Sequence, residues 1–175
     1  IQGDWYDELV TVNDGNPVSC DKGEYIETSG SEGVGRAKNT ALQYLLKRGC
    51  DYIILVEDDM RFKGNIFKEY IEAYISYGKP APRKIIDYGD VKIALNRHCV
   101  GAVTFYTRES LKEVGLYDEG YTNAFEHVDH SLMLANAGFS TPYWWWADIA
   151  NSLDFVVEQK CSEESSAIRP RSDWK

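Results

Sequence analysis

The sequence has little that would direct the chain to a membrane or to nucleic acid. It contains no apolar stretch near the roughly 20 residues that a membrane-spanning helix needs, and no signal peptide is visible, so no transmembrane segment is predicted. Basic residues are scarce: 19 Lys and Arg stand against 28 Asp and Glu, which gives a formal net charge of −9. This balance argues against a basic face that binds nucleic acid, and it favours a multi-acid site that binds a cation.

Cysteine is sparse and scattered. The 4 cysteines of the chain are Cys20, Cys50, Cys99 and Cys161, and they form neither a CxxC pair nor a Cys/His cluster with zinc spacing. The pattern predicts reduced thiols in a cytoplasmic protein, with a disulfide as the less favoured alternative.

What the chain does have is enough apolar sequence for a folded core. Its 175 residues, of which 43% are hydrophobic, suit one compact domain that spans residues 1–175. This composition excludes disorder for most of the chain. The polar last residues, about 162–175, are predicted to form a mobile tail.

Apolar spacing predicts alternating helices and strands. Helical spacing is found from Val34 to a stop at Gly49, and in "GNIFKEYIEAYISYG", "RESLKEVG" and "NAFEHVDHSLMLANAGF". Strand patterns are found in "ELVTVN", in Tyr52–Val56, and in "KIIDYG", "VKIALN" and "VGAVTFYTR". The continuously apolar run Tyr52–Val56 is typical of a parallel strand that is buried on both faces. The sequence therefore predicts an α/β fold, a sandwich of α/β/α layers around a mostly parallel mixed sheet.

Three consecutive acids, Glu57, Asp58 and Asp59, follow directly after the strand Tyr52–Val56. Open α/β sheets bind ligands at the carboxyl ends of their strands. Adjacent carboxylates stay ionised together only beside a cation or hydrogen-bond donors, and hard divalent ions prefer oxygen ligands. These residues therefore indicate a metal–phosphate site, and the alternative for the triplet alone is a solvated acidic turn.

Two ordered blocks of sequence resemble a known family. "GVGRAKNTALQYLLKRGCDYIILVEDDM" resembles the first half of the GT-A nucleotide-sugar glycosyltransferases, particularly glycosyltransferase family 2. In that family a glycine-containing loop opens a helix with a basic residue–Asn pair, which leads to a strand that ends in the DXD motif. The acidic triplet is the EDD form of that motif. "GAVTFYTRESLKEVGLYDEGYTNAFEHVDHSLMLANAGF" resembles the downstream block of the family, and with "VNDG" the resemblance covers most of residues 9–139.

The resemblance implies a metal-dependent glycosyltransferase of GT-A fold that uses Mn²⁺ or Mg²⁺. Its donor would be a nucleoside diphosphate sugar, in the first place a UDP-sugar, and its acceptor a hydroxyl of a glycan or glycoconjugate such as a polysaccharide. Inversion is expected because a candidate base exists and no obvious nucleophile does. The resemblance makes Asp59 the main metal ligand, with Asp58 and Glu57 supporting the ribose and the water shell of the metal.

The family normally begins with a strand before "VNDG", whereas here only "IQGDWYD" precedes the first predicted strand. A first strand is therefore expected to be missing, either because the chain is trimmed or because the fold is a reduced version.

For the catalytic base, the family points to a Glu-Asp pair at the start of the late helix. This sequence has Glu126-His127-Val128-Asp129 there, so His127 stands where the family has its Asp base. An imidazole can accept a proton at neutral pH, and Glu126 and Asp129 lie three apart on one helix face. Glu126, Asp129 and His127 all remain open as the base. Taken alone, the two acids could simply favour the positive helix N-terminus.

For the nucleotide, Asp14 in "VNDG" resembles the family's Asp that contacts the base or ribose. Its alternative role is a turn-forming Asp before Gly. Arg36 and Asn39, in the first turns of the helix after "SEGVG", are predicted to contact the base or the diphosphate, and Lys38 ranks below them. Their alternative is a hydrogen-bond network at the helix start together with a solvated charge.

Two other functions are compatible with the sequence. An inactive module of the same fold that binds a nucleotide sugar or carbohydrate is favoured by the Glu-His substitution and by the short N-terminal segment. A nucleotidyltransferase shares the sandwich and the carboxylate–metal site, but it would need a glycine-rich signature with a basic residue after the first strand, which the sequence lacks.

Overall fold

The computed structural model describes residues 5–15, 19–77, 86–88, 91–96, 101–139 and 146–158. The strands are β1 (Val10–Asn13), β2 (Glu24–Glu27), β3 (Tyr52–Val56), β4 (Met60–Phe62), β5 (Ile86–Tyr88), β6 (Val91–Asn96), β7 (Val103–Thr107), β8 (Trp146–Ile149) and β9 (Val156–Glu158). The helices are α1 (Val34–Arg48), α2 (Ile66–Tyr77), α3 (Arg108–Val114), α4 (Glu126–Asn136) and α5 (Ser152–Phe155). The predicted α/β class is confirmed.

Every helix that the apolar spacing predicted is present. The first predicted helix, α1, ends at Gly49, where φ is 94° and the backbone N–H reaches back to carbonyls of the last helical turn. This left-handed conformation suits glycine because it has no β-carbon. Helix α3 begins with a capping box, in which the Thr107 side chain accepts a hydrogen bond from the backbone N–H of Ser110.

Strand direction differs from the prediction. β1 pairs with β2 in parallel, but β3 with β7, β4 with β9, β5 with β6 and β6 with β8 are all antiparallel. The prediction of a mostly parallel sheet is therefore wrong for the described strands. The apolar run of β3 reflects burial on both faces, which either strand direction allows: Ile53 packs in the core beside α1, and Ile54 packs against a second core that includes α2.

Two clusters of buried side chains hold these layers together. The first comprises Leu42, Leu45, Ile53, Tyr106, Leu111, Tyr117 and Leu134, and it joins α1, α3 and α4 to the β3–β7 pair. The second comprises Ile66, Ala73, Ile149 and Val156, and it joins α2 to β8 and β9. Helices thus pack on both faces of β3–β7, and this fixes the position of the acids that follow β3.

Two of the four cysteines lie in the described residues. Cys20 and Cys50 are free thiols, as predicted. Cys99, Cys161 and the predicted tail at 162–175 lie outside the described residues. Within the described ranges, no helix combines the length and the apolar character that crossing a membrane requires.

Candidate active site

A cavity of about 1380 Å³ begins between β1 and β3 and extends to the acids that follow β3. Leu9 to Val12 and Asp51 to Asp59 line it without a gap. Because side chains alternate across a strand, such unbroken runs mean that the cavity follows the edges of both strands rather than one face. Among the described strands, β1 has β2 as its neighbour and β3 has β7, so these two edges face each other across the cavity.

Most of the predicted site residues line this cavity. Its lining includes Asp14, Lys38, Glu57, Asp58, Asp59, Glu126 and His127. They come from the end of β1, from α1, from the turn after β3 and from the start of α4. Arg36, Asn39 and Asp129 do not line the cavity.

The acidic triplet forms a tight turn. The backbone N–H of Glu57 donates to the carbonyl of Ala102 at 2.9 Å, which extends the β3–β7 pairing by one residue. The N–H of Met60 then donates to the carbonyl of Glu57 at 3.3 Å. Asp58 is exposed and Asp59 is half-buried, so the two carboxylates differ in their access to solvent.

Lys38 joins this turn to helix α4. Its ammonium lies 2.5 Å from Oε1 of Glu57 and 2.7 Å from Oε1 of Glu126. Burial alone would lower the pKa of Lys38, but the charge of Glu57 and hydrogen bonds to both carboxylates outweigh burial and raise it. Lys38 is therefore a buried cation that neutralises part of the acidic cluster.

The pairing of Lys38 with two glutamates was not predicted, although the sequence carried a signal for it. Lys38 belongs to the stripe Lys38, Ala41, Leu42 and Leu45, whose spacing places all four on the buried face of α1. A lysine is almost never fully buried unless it is paired. A lysine in an apolar stripe therefore indicates buried acidic partners.

Glu126 and His127 form a hydrogen-bonded pair at the start of α4. Nδ1 of His127 lies 3.3 Å from Oε1 of Glu126, and Glu126 is only 3% exposed. Burial acts to raise the pKa of Glu126, but hydrogen bonds from His127 and Lys38 and the charge of Lys38 lower it to about 2. An ionised carboxylate only accepts hydrogen bonds. A neutral His127 that donates from Nδ1 to this oxygen would have its lone pair on Nε2.

Asp14 organises the loop that precedes α1. Its Oδ1 accepts hydrogen bonds from the Thr28 hydroxyl at 2.5 Å and from the Glu32 N–H at 3.0 Å. Its Oδ2 accepts one from the Gly33 N–H at 2.9 Å. The carboxylate thus fastens the loop to the end of β1 while it also lines the cavity.

The other predicted nucleotide ligands make contacts within the protein. Asn39 is buried, donates to the carbonyl of Tyr117 at 2.9 Å and accepts from the N–H of Tyr117 at 2.9 Å. Asn39 therefore holds the backbone of Tyr117, which follows α3, against α1. The side chain of Arg36 is 56% exposed and pairs with Glu32 at 2.9 Å. Asp129, which was predicted as a candidate base, lies in the first turn of α4, and its backbone N–H donates to the carbonyl of Phe125.

Asp58 and Asp59 are the residues with the donor chemistry for a divalent ion. Within the described ranges, no set of three or more His, Cys, Asp or Glu side chains is arranged to hold a metal by itself. Mg²⁺ and related ions commonly take one or two carboxylates and complete their shell with water and substrate phosphate. Glu57 is paired with Lys38, and Asp58 and Asp59 beside it carry carboxylate oxygens, which are the kind of ligand that such a site uses.

No protein-family model matches the chain, and comparisons with curated proteins and with solved structures gave no match either. The functional argument therefore depends on the residues and the geometry of the site.

Proposed function

We propose that this chain is a metal-dependent glycosyltransferase of GT-A-like fold. It transfers a sugar from a nucleoside diphosphate sugar, of the UDP class, to a hydroxyl of a glycan or glycoconjugate, with inversion. The observation that carries the proposal is the contact of Lys38 with both Glu57 and Glu126. Glu126 lies 88 positions from Lys38 along the chain. These residues belong to the two sequence blocks that resemble the family, and the contact brings the two blocks together at one end of a cavity.

Asp58 and Asp59 are the proposed ligands of the divalent ion, with Asp59 as the main one. When bound, the ion would act as a Lewis acid that neutralises the charge of the diphosphate leaving group. Glu57 remains paired with Lys38 and holds the turn in place. Asp14, at the end of β1, is the proposed contact for the base or ribose through the loop that it organises.

His127 is the proposed base. The acceptor oxygen forms a bond to the anomeric carbon while the bond from that carbon to the diphosphate oxygen breaks, and the electron pair leaves with the diphosphate. The hydroxyl proton passes to Nε2 of His127, and the adjacent Glu126 carboxylate stabilises the imidazolium. Glu126 itself has a pKa of about 2 and so is a weak proton acceptor at neutral pH. Asp129 does not line the cavity.

A donor screen tests the proposal. Wild type and Asp59→Ala are incubated with UDP-, GDP-, dTDP- and CMP-sugars with Mn²⁺ or Mg²⁺, and nucleotide release is measured with and without glycan acceptors. We expect a UDP-sugar to be turned over, and Asp59→Ala to lower the rate about 100-fold or more, the scale of losing electrostatic stabilisation of a transition state.

Glu72→Ala is the matched control, because Glu72 is a half-exposed acid on α2 that pairs with the exposed Lys68 and does not line the cavity. Its rate should equal that of wild type. Absence of release with every donor would contradict the proposal, and metal-independent binding without turnover would favour an inactive binding module.

A further inference from the structure

We propose that Gly101 and Lys38 are positioning residues that hold His127 in the Nδ1–H tautomer, which leaves Nε2 as its proton-accepting atom. The catalytic meaning of this arrangement rests on the proposed glycosyl transfer, whereas the tautomer itself does not.

Gly101 provides the space for the His127 ring. A β-carbon placed on Gly101 would lie 2.6 Å from Cγ and 2.9 Å from Cβ of His127. Gly101 is not among the glycines with positive φ, so backbone conformation does not require glycine here. The backbone of α4 fixes Cβ of His127, whereas Cγ moves when χ1 changes, so a rotated side chain would still leave Cβ 2.9 Å from the added β-carbon. Rotation of the side chain therefore cannot fully relieve the contact, and a larger residue must displace the imidazole.

Lys38 fixes the charge of the group that orients the ring. The same oxygen, Oε1 of Glu126, accepts hydrogen bonds from Lys38 at 2.7 Å and from Nδ1 of His127 at 3.3 Å. With Lys38 present, Glu126 is an anion and can only accept, so Nδ1 must donate. Without Lys38, the buried carboxyl would be driven to take up a proton and could donate to Nδ1 instead. Lys38 thus determines which ring nitrogen carries the proton.

His130, on the same helix, provides an internal contrast. Its Nε2 lies 2.9 Å from the carbonyl oxygen of Gly115, which can only accept, so Nε2 carries the proton. His130 is buried. The structure therefore gives opposite tautomers to two histidines that are one helical turn apart.

Long-range ¹H–¹⁵N NMR of histidine-labelled protein tests the tautomers without any donor or metal. The spectra are recorded at a pH where imidazoles are neutral, and they are assigned with His127→Gln and His130→Gln. We expect the Nδ1–H form for His127 and the Nε2–H form for His130. An Nε2–H form or an equal mixture for His127 would overturn the inference.

Gly101→Ala and Lys38→Met test the two positioning residues, with Lys38→Arg as the variant that keeps the charge if Lys38→Met does not fold. We expect Gly101→Ala and Lys38→Met to shift His127 away from the Nδ1–H form, and Lys38→Arg to preserve it. Gly64→Ala is the matched control, because its β-carbon would meet the Phe155 ring at 3.2 Å and not His127. An unchanged tautomer in Gly101→Ala would overturn the role of Gly101.

Activity then separates this inference from the proposed function. Gly101→Ala should lower kcat for the donor about 100-fold, the lower range of general-base catalysis, with little change in KM. An Nδ1–H form in a protein without transferase activity would support the positioning and contradict the proposed function. An Nε2–H form in an active enzyme would overturn the positioning alone.

Discussion

At the scale of single residues, a buried lysine sets the charge of the site. Glu57 and Glu126 both approach the ammonium of Lys38, so the cluster of three groups carries one net negative charge instead of two adjacent ones. Breaking such a pair leaves an uncompensated buried charge. The cluster therefore keeps Glu126 ionised beside His127.

His130 should make the free energy of unfolding depend on pH. This dependence should occur at higher pH than the dependence that carboxylates cause. Burial lowers the pKa of His130 below its usual 6.5, against smaller opposing effects of Gly115 and Asp129. The folded state therefore favours the neutral ring, and this contribution is present above about pH 6.5 and declines as pH falls below it. The decline should approach about 1.4 kcal/mol per pH unit for one proton.

Urea unfolding of wild type and His130→Phe between pH 8 and pH 5 measures this effect. We expect wild type to lose more stability than the variant, whose phenyl ring keeps the packing against Tyr106 and Tyr117 but cannot titrate. Equal pH dependence in both proteins would contradict the buried neutral histidine. Glu126 contributes at lower pH, because its pKa falls from 4.5 to about 2 on folding, so its contribution is lost only as pH drops below about 4.5.

At the scale of elements, local patterns predicted what local sequence determines. The stripe of apolar residues on α1 and the run of β3 fix their type and their bounds, because each buries a face that is readable from spacing alone. Strand β2 was not among the predicted strands, because only Tyr25 and Ile26 interrupt its polar surroundings. Its parallel pairing with β1, and not an apolar pattern of its own, makes this segment a strand.

Partners that are distant in sequence could not be predicted. β4 and β9 have three residues each, and Met60 pairs with Glu158, so neither carries enough sequence for a recognisable pattern. Strand direction is likewise a property of the pair and not of either strand. The site followed the same rule: the acids after β3 were predicted from one segment, whereas their contact with Glu126 through Lys38 required the fold.

Lys38 should contribute strongly to the packing of α1, β3 and α4. Lys38→Met leaves Glu57 and Glu126 facing each other without a cation, and we expect the free energy of unfolding to fall by about 3–5 kcal/mol, as when one partner of a buried ion pair is removed. Chemical denaturation near pH 7 measures the change.

Arg48→Met is the matched control for Lys38→Met, since Arg48 pairs with Glu8 at 2.6 Å but at an exposed position. Such exposed pairs contribute little to stability because solvent screens them. A loss of stability for Lys38→Met no larger than that for Arg48→Met would contradict the buried cluster.

At the scale of the whole molecule, the cavity separates two small sheets. Hydrogen bonds from the Glu57 N–H to Ala102 and from the Arg108 N–H to Asp51 set the β3–β7 register. By the alternation of antiparallel pairing, the N–H groups of Ile53 and Leu55 then donate to β7. Those of Tyr52, Ile54 and Val56 point toward the cavity and β1.

Amide hydrogen exchange of β3 tests this arrangement. We expect the amides of Ile53 and Leu55 to exchange at least about 10-fold more slowly than those of Ile54 and Val56. The amides of Ile54 and Val56 point to an unpaired edge, so they can exchange without local opening of the sheet. The measurement uses the unliganded protein near neutral pH. Equal protection along β3 would contradict an open edge, because a segment paired with that edge would be needed to protect it.

The central claim is that the acids after β3 bind a divalent ion that contacts the diphosphate of a sugar donor. Isothermal titration of UDP into wild type and Asp59→Ala, each with and without Mn²⁺, tests this most directly, since it requires neither the acceptor nor the correct sugar. The account predicts UDP binding by wild type only when Mn²⁺ is present, and its loss in Asp59→Ala. UDP binding that is indifferent to Mn²⁺ and to the substitution, or no binding by wild type under any condition, would contradict it.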